Sequence, residues 1–156
     1  MKLIRNALQR WPDYTRLEQA LEQGAMPAVA TGLSGIHKCC ITAALCQKTG
    51  RKALVLAADE AEAQRFCEDL RALGMRPVPY PLRDFNFRDT AGTSHEYERL
   101  RLEALSKLES GGCDCIVACM DAALQYTMGP GELKKRLFPV EAGAQMEIDD
   151  LLAALV

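Results

Sequence analysis

The 156-residue chain reads as an α/β protein, a doubly wound, mostly parallel sheet with helices on both faces. Three observations predict it. Four short apolar runs, at 28–31, 53–57, 78–81 and 113–119, alternate with segments of helical spacing, the signature of βαβ crossovers. The run at 113–119 is apolar on both faces, as a strand buried between two layers must be. A glycine-containing stretch stands between the first run and the next helix, the strand–loop–helix context of a phosphate-binding loop.

Each element follows in order. Residues 2–24 read as helix, with Tyr14, Leu17, Ala20 and Leu21 at helical spacing and Gly24 as the stop. The first strand, 28–31, leads through the loop Gly32 to Gly35 into a helix at 36–48. The inner face of that helix carries Cys40, Ile41, Ala44 and Leu45, and Thr49 and Gly50 close it. The second strand is 53–57. Asp59 then predicts an N-cap with Glu62 three residues on, and Ala63, Phe66, Cys67, Leu70 and Leu73 lie on one helical face that ends at Gly74. A third strand at 78–81 is limited by its prolines.

Residues 82–92 read as a loop. Thr93 and Glu96 form a second capping-box pattern ahead of the apolar stripe Tyr97, Leu100, Ala104, Leu105 and Leu108. The opposite face, with Glu98, Arg99, Arg101, Glu103 and Lys107, reads as solvated. After the strand at 113–119 the pattern predicts a helix at 121–126, a Gly-Pro-Gly turn, a short helix near 132–136, a strand at 138–140 and the start of a helix at Ile148. The chain thus divides into an N-terminal helical segment (1–24), an α/β subdomain built on the phosphate-loop context (25–136) and a flank (137–156). The last residues stop inside an apolar helical pattern, so the sequence is expected to continue.

Composition narrows the function classes. Apolar residues make up 49% and charged residues 26%, an ordinary globular balance that excludes a disordered chain. A net charge of −2 excludes a strongly basic nucleic-acid glove, while a local patch stays open. No apolar run approaches the roughly 18 residues of a membrane span, and the N-terminus has no signal-like apolar core, so the reducing cytoplasm is the expected compartment. The seven cysteines are then free thiols acting as small apolar residues. With no C-x-x-C pair among them, no metal site is expected.

One stretch carries site chemistry. Thr31, Gly32, Leu33, Ser34, Gly35, Ile36, His37, Lys38 and Cys39 follow the pattern G-x-x-x-x-G-K-[S/T] with two departures. Gly32 and Lys38 have the required spacing. His37 stands where the second glycine belongs, bringing a Cβ and a ring into space that the loop needs for phosphate. Cys39 replaces the hydroxyl that holds Mg²⁺, and a thiolate is a poor ligand for that hard cation. The acids after two of the strands, Asp59 with Glu60 and Asp121, stand where helices start, and capping accounts for them. The site is therefore a degenerate phosphate loop, Gly32, Gly35, His37, Lys38 and Cys39, with no catalytic residues.

At this point the residues resemble a family. Gly32 to Leu73 is similar to the first helicase-like subdomain of the excision-repair protein UvrB. The whole of 25–156 more closely resembles the N-terminal UvrB-like module of bacterial transcription-repair coupling factors. The resemblance is carried by Gly32-Leu-Ser-Gly35, Arg83-Asp-Phe-Asn-Phe-Arg-Asp89, the run from His95 to Leu105, and the run from Asp114 to Gln125. It implies a P-loop helicase-like fold in which the module has lost ATPase function. It implies a whole protein that is an ATP-dependent DNA translocase, with ATP and magnesium bound in domains absent from this sequence and no cofactor here. It also implies partners: UvrA through the adjacent region, RNA polymerase and DNA through the full-length protein, and intramolecular contacts with the missing domains.

Two alternatives remain in the sequence. A small P-loop NTPase with weak nucleotide binding would depend on Lys38. A DNA-binding module would use Arg83, Phe85, Phe87 and Arg88, which interleave base and aromatic as single-strand binders do. Asp84 and Asp89 offset both arginines, which favours a loop pinned by its phenylalanines.

Overall fold

A computed structural model describes residues 2–83, 96–138, 143, 145 and 147–155. They form two compact units, 1–126 and 127–156. The first unit contains the sheet. Its centre is β3 (Cys115–Cys119), flanked on one side by β1 (Ala53–Ala57) and on the other by β2 (Pro77–Tyr80). Both neighbours run parallel to β3, with Ala53 and Pro77 each opposite Cys115. The α/β fold class expected from the sequence is the one observed, with a small parallel sheet of three strands among the described residues.

Helices cover both faces. On one, Cys115 and Val117 of β3 pack with Ala57 under α3 (Gly35–Thr49) and α4 (Glu60–Ala72), which contribute Cys39, Ala43, Phe66 and Leu70. On the other, Ile116 and Ala118 pack with Val78 and Tyr80 under α5 (Glu96–Glu109) and α6 (Met120–Leu124). A third cluster joins Tyr14 of α2 (Pro12–Glu22) to Ile41 and Ala44 of α3, with Leu8 of α1 (Lys2–Gln9) against it. All seven cysteines are free, and all are buried or half-buried. The second unit contains α7 (Pro130–Arg136) and α8 (Ile148–Leu155). No helix among the described residues is long and apolar enough to cross a membrane.

Five expectations are corrected, the last in part. The run 28–31 is not a strand: it makes no ladder and its side chains are exposed, Val29 at 87%. Its small side chains bury little apolar area, and it borders a cleft of about 420 Å³ against α2 and Leu33 instead. The N-terminal helix is two helices, because Pro12 lacks an amide proton and suits only the first turn of a new one. On α3 the buried residues are Cys39, Ile41, Ala43 and Ala44, while Cys40 and Leu45 are half-buried. Arg101, expected on a solvated face, is 6% exposed. For the predicted strand at 138–140, Phe138 lies in no strand and the other two positions fall outside the described residues, as does Thr93.

The entry into the sheet is fastened by one ion pair. The Arg76 amide donates to Asp114 Oδ2 at 2.9 Å, its guanidinium meets Oδ1 at 2.6 Å, and the Asp114 amide donates back to Arg76 O at 3.0 Å. The guanidinium holds the Asp114 carboxyl below the usual carboxylate range. A carboxyl lowered in the folded state stabilises above its unfolded value and loses that contribution as pH falls through its native one. Asp114→Asn is therefore expected to lower the melting temperature by about 2 °C at pH 7, because a partly exposed pair is worth little. Thermal scans across pH should show the gap to wild type closing below about pH 4. A gap that persists unchanged at acid pH would contradict the assignment.

Candidate functional site

The stretch that the sequence reads as a degenerate phosphate loop is held by its own side chains, and no strand among the described residues precedes it. Gly32 has φ +75°, a left-handed conformation that favours glycine. Ser34, extended at φ −75° and ψ 167°, is the N-cap of α3, and His37 is three residues on. The Ser34 amide donates to His37 Nδ1 at 3.4 Å, and Ser34 Oγ lies 3.1 Å from the same nitrogen. His37 thus takes the part that Glu or Gln plays in an ordinary capping box. Since a backbone amide only donates, Nδ1 is the acceptor in that contact. An amide that a phosphate loop would aim at its ligand is here given to an imidazole.

Lys38 has been drawn toward α4. Its Nζ lies 3.9 Å from Glu62 Oε1 and 6.0 Å from the centre of the Phe66 ring. Glu62 in turn belongs to the start of α4: Asp59 Oδ1 accepts from the Glu62 amide at 2.7 Å, and Glu62 Oε2 accepts from the Ala58 amide at 2.8 Å. The cation is therefore balanced by a carboxylate that is itself fixed by a helix cap. Lys38 and Glu62 border a groove of about 400 Å³ that runs along β1, with Thr42 and Leu45 on its wall.

Cys39 points the other way. It is fully buried between α3 and α4, with Sγ 3.9 Å from Asp69 Oδ2. Burial first, and then the Asp69 charge, push its thiol up to about 12. The position that carries the magnesium-binding hydroxyl in an intact loop is thus spent on the core. Among the described residues no three His, Cys, Asp or Glu side chains gather into a metal site.

Of the candidate DNA contacts, Arg83 is described and Phe85, Phe87 and Arg88 lie outside the described residues. The Arg83 guanidinium is paired with Glu98 of α5 at 3.1 Å, and Asp84 and Asp89 lie outside the described residues. Its backbone is clamped by Gln125: the Arg83 amide donates to Oε1 at 2.8 Å and Nε2 donates to Arg83 O at 3.0 Å. Beside this clamp sits Arg101. Its Nη1 donates to Pro81 O at 2.9 Å, Ala122 O at 3.2 Å and Gln125 Oε1 at 3.1 Å, and its guanidinium lies 4.0 Å from the Tyr80 ring centre. Sequence reading by residue type passes over Arg101. Its spacing, four after Tyr97, three before Ala104 and four before Leu105, places it inside the apolar stripe.

No family model matches the chain. It is 25% identical over its full length to the transcription-repair-coupling factor of Bacillus subtilis, of which it spans 13%. It is 29% identical over 91% of its length to UvrABC system protein B of Synechococcus elongatus, spanning 24% of that protein. The corresponding protein of Bifidobacterium longum is 25% identical over 90% of the chain and is spanned to 22%. The chain therefore matches the N-terminal, UvrB-like regions of these DNA-repair proteins and covers less than a quarter of their lengths.

The burial of Cys39 is directly measurable. Under native conditions at pH 8, iodoacetamide followed by peptide mass spectrometry should leave Cys39 unmodified and label it only after denaturation, since the thiolate is the reactive form. Rapid native labelling of Cys39 would place it on the loop surface instead.

Proposed function

We propose that this chain is the non-catalytic, UvrB-like module of a transcription-repair coupling protein serving transcription-coupled nucleotide excision repair. The observation that carries the reading is the fate of the phosphate loop: His37 occupies the Ser34 amide, Glu62 balances Lys38, and Cys39 is in the core. The full-length similarity to a coupling factor supplies the context. In such a protein, ATP binding, translocation on DNA and release of stalled RNA polymerase belong to other domains. The module contributes a folded surface for UvrA recruitment through the adjoining region and for contacts within the whole protein.

The test is an ATPase assay on the chain, with and without DNA, alongside a binding titration with UvrA. The proposal expects no Mg²⁺-dependent hydrolysis above buffer, and no difference between wild type and Lys38→Ala. Hydrolysis that Lys38→Ala abolishes would replace the reading with that of a P-loop NTPase. Salt-sensitive DNA binding lost in Arg83→Ala would favour a DNA-binding module instead.

A further inference from the structure

On the α5 and α6 side of the sheet, the exits of two strands are bridged by the chain itself. In parallel sheets ligands sit beyond the carboxyl ends of the strands. The carboxyl end of β2 leads to Pro81 and that of β3 leads into α6, and between these exits lies the Arg101 guanidinium. Burying an arginine costs free energy unless its donors are satisfied. Here Nη1 faces Pro81 O, Ala122 O and Gln125 Oε1, Nη2 reaches Tyr126 O at 3.5 Å, and the Tyr80 ring covers one face of the plane. Those acceptors come from two segments far apart in sequence, one leaving β2 and one ending α6. Gln125 joins the same two segments independently through its paired bonds to the Arg83 backbone.

We propose that Arg101 is a positioning residue that locks the exit of β2 to the end of α6, so that the two segments move as one body. A lysine cannot reproduce this, because a single ammonium lacks the planar fork that spans several carbonyls. The assignment rests on contacts within residues 80–126 and holds whichever function the chain performs.

Hydrogen exchange on the whole chain, read by mass spectrometry or NMR, tests it. With Arg101→Lys, the amides of Arg83 and residues 124–126 should exchange at least about tenfold faster, the effect of losing charge-assisted bonds, while β1 amides stay within about twofold of wild type. Gln125→Ala trims a half-buried neutral side chain and leaves no charge unpaired, so it should fold even if Arg101→Lys does not. It should speed exchange at Arg83 and leave β1 unchanged. Two results would overturn the proposal. One is a uniform rise through β1 and β3 in Arg101→Lys, which would make Arg101 an ordinary core member. The other is no change at Arg83 in Gln125→Ala.

Discussion

The burial of β3 is the constraint on which the first unit depends. All five of its residues are buried, both of its edges are paired, and each of its faces supports a different helical layer. A strand in that position must be apolar on both sides, and Cys-Ile-Val-Ala-Cys satisfies this with small and branched side chains that let α4 and α5 approach. From β3 the remaining positions follow. β1 places the start of α4 at its carboxyl end, α4 carries the Glu62 that holds Lys38, and α6 leaves β3 within reach of Arg101.

Polar backbone groups at two helix starts and at the exits of two strands are satisfied from within the chain. At the start of α3 an imidazole lone pair takes a backbone amide; at the start of α4 two carboxylates take two more; beyond β2 and β3 a guanidinium takes several carbonyls. Each arrangement answers a local need, since helix starts carry orphan amides and strand exits carry orphan carbonyls. Together they describe a scaffold whose polar ends are internally paired. That is the physical content of the proposal that this module acts through its surface and its neighbours rather than through bound nucleotide.

Much of this was legible in the sequence, for reasons that can be named. β1, β3 and α4 were readable because pattern, length and caps agreed locally: Asp59 and Glu62 marked the start of α4, and the double-faced run marked β3. The run 28–31 misled because an apolar tetrapeptide states its preference but not its partner, and no sheet edge takes it up. Arg101 was hidden by its charge, although its spacing put it in the apolar stripe. The departures at His37 and Cys39 were visible as substitutions. Their consequences, a histidine capping box and a thiol turned into the α3–α4 interface, needed the structure. Phe85, Phe87 and Arg88 fall outside the described residues, so the aromatic-basic loop stands as a sequence pattern.

The central claim of the proposed function is that the loop at Gly32–Lys38 caps itself and does not bind nucleotide. Isothermal titration calorimetry of Mg²⁺-ATP into the chain measures this most directly. The account predicts no saturable heat, corresponding to a Kd weaker than about 1 mM. Micromolar, Mg²⁺-dependent binding that displaces the His37–Ser34 contact would contradict it.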